Sequence, residues 1–158
     1  MRKKITRFAA AAACLFLLAG CGSGGGGETQ AYTKEQAQEI LDSGAFTDEL
    51  EELDGDTAWA LYGLEGAGLA RDQLTDGMIR RSAGATCEEL SLLIFSDAEG
   101  AETAVSALET YLQDQIDSNQ DYRPAEIPKL EDAFLQQADN TVLMVVSNDT
   151  QAVQDILG

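Results

Sequence analysis

Histidine is absent from all 158 residues. The commonest general base, the commonest zinc ligand and both the Ser-His-Asp and Cys-His nucleophile arrangements go with it. Cysteine is scarce, at Cys14, Cys21 and Cys87 alone, and proline occurs only as Pro124 and Pro128. Positive charge is thin as well: 10 Lys and Arg stand against 28 Asp and Glu, for a formal net charge of −18. Phosphates of nucleic acids and anionic lipid head groups both call for clustered Lys and Arg, so this balance excludes DNA, RNA and direct membrane adsorption as expected partners. The acid surplus accounts first of all for solubility, because net charge informs association more than fold.

The few cations are unevenly placed. Arg2, Lys3, Lys4 and Arg7 precede an apolar run that takes in Ala9 to Ala13, Cys14, Leu15, Phe16, Leu17 and Leu18. A basic head followed by an apolar stretch of this length reads as a secretory signal. It is too short to serve as a membrane span, which needs roughly 20 apolar residues. Leu18-Ala19-Gly20-Cys21 resembles the lipobox of bacterial lipoproteins in all four positions. The resemblance implies a signal peptide over residues 1–20, cleavage before Cys21, and a thioether diacylglycerol on the Cys21 thiol. The expected location is the outer, extracytoplasmic face of the cell membrane. Each buried methylene contributes about 0.8 kcal/mol, and two acyl chains hold stably where one does not. Residues 21–30, the lipidated cysteine and the Gly-rich stretch after it, read as a flexible tether with a reach of roughly 16 Å.

Loss of residues 1–20 removes four positive charges and no acid, which deepens the net charge from −18 to −22 on the 138 residues left. Residues 31–158 suit one domain with its own core. Cys87 is the one thiol not claimed by signal or lipid, so no intramolecular disulfide is expected. Its neighbours Glu88 and Glu89 discourage the thiolate, and a small buried group is the better reading. Asp54-Gly55-Asp56 looks like the opening of a calcium loop, but Ala58 stands where an oxygen ligand is wanted and Trp59 where a glycine is. No motif implies a cofactor or a metal.

Thr33 with Gln36 forms a capping box, and Ala37, Ile40 and Leu41 at helical spacing predict a first helix over 34–42. Phe46 to Asp56 reads as a short helical turn or loop, and Trp59, Leu61, Tyr62 and Leu64 as apolar anchors beneath loops. Strands are predicted near 74–82 and over 89–95, joined through Ala83-Gly84-Ala85-Thr86 as an antiparallel hairpin. Ser96 with Glu99 makes a second capping box. Ala101, Ala104, Val105, Leu108, Leu112 and Ile116 trace one face of a long helix ending near Asn119. Strand-like runs at 130–137 and 141–147 flank the turn-prone Asp139-Asn140. Asn148 with Gln151 is positioned to cap a final helix that buries Ala152, Val153, Ile156 and Leu157. The order gives an α+β fold, an antiparallel sheet of two hairpins packed against helices as a two-layer sandwich.

Four segments taken in order carry a further resemblance: Leu61-Tyr62-Gly63-Leu64, Glu88 to Phe95, Tyr122-Arg123-Pro124 and Asp139-Asn140-Thr141-Val142. Over roughly 31–158 they resemble the domain of unknown function 4358 family of small lipoproteins from Gram-positive bacteria. The resemblance implies an architecture and a location but no activity. Cys87 is a mild departure, where a small or polar residue is expected.

Address and fold without catalytic machinery point to a binding or accessory module of the cell envelope, with an envelope protein or peptide as partner and the membrane engaged through the lipid on Cys21. Candidate contacts are Tyr122 and Arg123, with Pro124, in a loop after the long helix. Arg80 and Arg81 form the other notable pair. Adjacent strand residues face opposite ways, so at most one of them serves a given pocket and pairing with nearby carboxylates is the simpler role. The alternative is a hydrolase of wall glycans working through paired carboxylates, which requires a deep cleft with two facing acids, one of them desolvated.

Overall fold

A computed structural model describes residues 30–158. The expected signal peptide, Cys21 and the tether up to residue 29 lie outside the described residues. The chain runs as α1 (Lys34–Asp42), β1 (Leu50–Leu53), α2 (Gly55–Leu61), β2 (Leu74–Ser82), β3 (Glu89–Phe95), α3 (Ala98–Asn119), α4 (Ile127–Glu131), β4 (Phe134–Ala138), β5 (Thr141–Val146) and α5 (Thr150–Leu157). Five strands pair antiparallel in the order β1-β2-β3-β5-β4. The α+β fold and both hairpins are as the sequence predicts.

Side-chain alternation sends successive residues of each central strand to opposite faces. Leu93 and Phe95 of β3, with Val142 and Met144 of β5, pack with Ala101, Ala104 and Leu108 of α3 and Ala58 of α2. Leu90, Leu92, Leu143 and Val145 face the other way, onto Ala37 and Ile40 of α1 and Val153 of α5. Helices therefore cover both faces, adding a layer to the two expected. The unbroken apolar run of β5 follows from this, because a strand covered on both sides has no solvent face to keep polar. All six of its residues are buried.

Local chemistry sets most of the ends. The Thr33 capping box on α1 forms as predicted, with Thr33 Oγ1 accepting from the Gln36 N–H and the Gln36 side chain accepting from the Thr33 N–H. The caps of α3 and α5 are displaced by one residue from those expected at Ser96 and Asn148. Asp97 and Asp149 directly precede the first helical residues, and their carboxylates accept from the N–H groups of Gly100 at 2.8 Å and Ala152 at 3.0 Å. Gly55–Leu61 is helical, and Asp54 caps it by accepting from the N–H groups of Asp56 and Thr57. Trp59 and Leu61 accordingly lie on α2 and Tyr62 at its end. The strand expected from Leu130 begins at Phe134, because Pro128, pre-set for a first helical turn, starts α4 instead. Asp139 adopts φ +51° in the two-residue turn between Ala138 and Thr141. This is the conformation for which Asp and Asn are tolerated in hairpins.

Candidate functional site

Glu88 immediately precedes β3 and Glu89 opens it, and alternation sends their side chains to opposite faces of a sheet that is covered on both. Each carboxylate is therefore drawn into the interior. Glu88 is 0% exposed. It accepts from Thr47 through both N–H and O–H, at 2.8 and 2.7 Å, from the Asp48 N–H at 2.9 Å and from the Lys129 ammonium at 2.9 Å. Burial alone would raise its pKa, but these donors outweigh burial and hold it below the usual carboxylate value. Lys129 also pairs with Glu126, which in turn accepts from the Cys87 N–H. The cluster ties β3, α4 and the segment before β1 into one piece.

Glu89, 2% exposed, faces α2 and α3. Tyr62 donates its hydroxyl to Oε1, Tyr111 donates to Oε2 at 2.7 Å, and Ser91 lies within reach of Oε1. Arg81 Nε stands 3.3 Å from Oε2. Here burial prevails, and the Glu89 carboxyl is raised above its ordinary value despite these partners. Burial, with the neighbouring carboxylate, pushes both phenols up in turn. The rings meet edge to face, with centroids 5.0 Å apart at 74°. Such pairs are worth about 0.5–1.5 kcal/mol beyond the area they bury. No second carboxylate is among the partners of Glu89.

Two concavities flank this buried network. The larger, about 690 Å³, runs between the turn after α2, at Leu61 to Ala67, and the outer face of α3 from Glu102 to Asp114. Tyr62 and Tyr111 form its floor, Thr103, Ser106 and Thr110 line its wall, and no Lys or Arg borders it. The smaller, about 180 Å³, opens beside the loop joining β2 to β3 and is bordered by Glu51, Arg81, Thr86, Cys87, Gln115 and Arg123. Glu89 lines neither, but it holds the two tyrosines of the first and pairs with Arg81 of the second.

The structure brings Arg81 and Arg123 together at that smaller cavity and keeps the other candidate contacts apart. Arg80 points to the opposite sheet face and pairs with Glu52, its cross-strand neighbour, at 2.5 Å. Tyr122 is 89% exposed and stands clear of the cavity. Arg123 folds back, donating to Asn119 Oδ1 at 2.8 Å and to the Gly84 carbonyl at 2.7 Å, and Pro124 begins a short 3-10 turn. Cys87 is buried and in no disulfide among the described residues, and burial raises its thiol pKa. Among the described residues no group of His, Cys, Asp and Glu is arranged to hold a metal ion, and no helix is long and apolar enough to cross a membrane.

Sequence reasoning passed over Glu88, Glu89, Tyr62 and Tyr111 as site residues. A usable signal was present: two acids at the head of a strand whose remaining residues are almost wholly apolar cannot both reach solvent if that strand is central. A family model described as a domain of unknown function (DUF4358) matches residues 42–147. No curated protein and no solved structure matches the chain.

Proposed function

The chain belongs to the DUF4358 family of domains of unknown function, and from that premise we propose that it is a lipid-anchored binding module of the cell envelope. Cys21 carries the lipid at the outer face of the cytoplasmic membrane, and the tether presents the domain to a partner there. The observation that supports the binding role is the groove of about 690 Å³ between the turn after α2 and the face of α3. Its floor is apolar and aromatic, its wall offers the hydroxyls of Thr103, Ser106 and Thr110, and Glu102 and Asp114 stand on its border. Concave sites of this kind hold ligands by apolar burial and take their orientation from a few polar groups. A border of acids without a cation, on a body of such negative charge, favours a positively charged polypeptide segment that inserts an apolar side chain. Charge complementarity of this kind acts mainly on association rate and partner choice.

Cross-linking in intact cells tests the reading. A photoreactive residue at Ser106, in the groove, is expected to capture an envelope protein, and one at Gln154, on the exposed side of α5, is not. Reversing the border charge with Glu102→Lys and Asp114→Lys is expected to suppress the capture. Identical products from both positions, or capture indifferent to charge reversal, would rule out the groove as the binding surface.

A further inference from the structure

Six Lys and Arg lie among residues 30–158, and four of them are held by carboxylates at 2.5 to 2.9 Å: Lys34 by Asp76, Arg71 by Asp56, Arg80 by Glu52 and Lys129 by Glu88. The two exceptions are Arg81, which reaches Glu89 only through Nε at 3.3 Å, and Arg123, whose partners are Asn119 and backbone carbonyls. In a chain with so many acids, these two guanidinium groups border the same small cavity. We propose that the cavity beside the β2–β3 loop is a carboxylate-binding site, in which Arg81 and Arg123 together grip one monoanionic group.

Both guanidinium groups are fixed by contacts that leave donors over. Arg81 is steered by Glu89 from beneath, which leaves its two terminal nitrogens. Arg123 commits Nε to Asn119 and Nη1 to the carbonyls of Gly84 and Thr86, which leaves Nη2. A planar fork held in place matches a carboxylate with little further ordering, and charge-assisted pairs of this type are the stronger hydrogen bonds. Gln115 adds an amide from the α3 side. The volume, about 180 Å³, suits one small acidic group. Glu51, the cross-strand neighbour of Arg81, also borders the cavity. Its negative charge penalises a dianion more than a monoanion, which separates carboxylate from phosphate. The carboxylate can belong to a free small acid or to the end of a peptide.

The full chain, purified in detergent micelles, is titrated with acetate, N-acetylalanine, N-acetylalaninamide and inorganic phosphate. Calorimetry and the Nε–H resonances of Arg81 and Arg123 give the readouts. Acetate and N-acetylalanine are expected to shift both resonances, with phosphate weaker and the amide silent. Equal affinity for the two acids identifies a free small acid as sufficient, and tighter N-acetylalanine identifies a peptide end. Arg123→Gln is expected to weaken binding by at least about tenfold, as fits the loss of a hydrogen bond to a charged group. Because Arg123 also holds the β2–β3 loop, the exposed Glu51→Gln serves as a second variant and is expected to tighten binding several-fold. Binding of the amide, tighter binding of phosphate, or acid affinity unchanged in both variants would overturn the proposal.

Discussion

At Glu89 two physical demands pull against each other. Its place on β3 buries it beneath α2 and α3, which disfavours the charged form, while Tyr62, Tyr111 and Arg81 favour that form. Burial prevails, so the folded protein holds this proton to higher pH than the unfolded chain, whose carboxyl titrates near 4.5. Stability contributed by Glu89 accordingly falls as pH climbs from about 4.5 through the raised folded value. Glu88 has the opposite sign: its folded value is lowered, so its contribution is present above 4.5 and disappears as pH falls below it. Glu89→Gln is therefore expected to flatten the decline of melting temperature above pH 4.5 while leaving the acid-side loss intact. Melting curves of both proteins between pH 3 and 8 provide the comparison, and parallel profiles would show that Glu89 does not titrate as its burial requires.

At the scale of single elements, β2 lies close against β3 at Gly77. A Cβ added there would sit 2.8 Å from the Leu92 carbonyl oxygen and 3.1 Å from Ile79 Cδ1, and the first of these is backbone that cannot swing aside. Gly77→Ala is expected to destabilise the fold by about 1–3 kcal/mol through overpacking. Urea denaturation would register this as a lowered midpoint with an unchanged slope, and an unchanged midpoint would show that the strands have room to part. The elements most legible in the sequence were those fixed by local chemistry. The start of α1 followed from a capping box and the length of α3 from 3.6-residue spacing, and β3 and β5 from their apolar runs. β1 was not legible, because Leu50-Glu51-Glu52-Leu53 has no strand alternation of its own. It is a strand by virtue of its pairing with β2, where Glu52 meets Arg80 far along the chain. The joining of Arg81 with Arg123 was hidden for the same reason, since it depends on where α3 ends relative to the β2–β3 loop. That Arg80 and Arg81 face apart needed only strand periodicity.

Over the described residues, the segment from 42 to 147 supplies the sheet with α2, α3 and α4, and by itself amounts to a two-layer sandwich. α5 and nearly all of α1 lie outside that segment, and both cover the second face. The added layer was not evident in the sequence because the hairpin order alone does not say on which face a flanking helix lands. Dense negative charge is the other property of the whole. Self-repulsion is screened over a Debye length of about 8 Å at physiological ionic strength, so the melting temperature is expected to rise as salt is added. Calcium and magnesium at equal ionic strength are expected to act alike. Thermal melts with either ion would expose a specific site as a rise in micromolar calcium that magnesium fails to reproduce. The location proposed for the protein depends on one thiol, at Cys21. Metabolic labelling with an alkyne fatty acid reads it directly: the unaltered chain is expected to take up label and Cys21→Ala to lose it and persist as a longer precursor. Equal labelling of the two would contradict the lipid anchor.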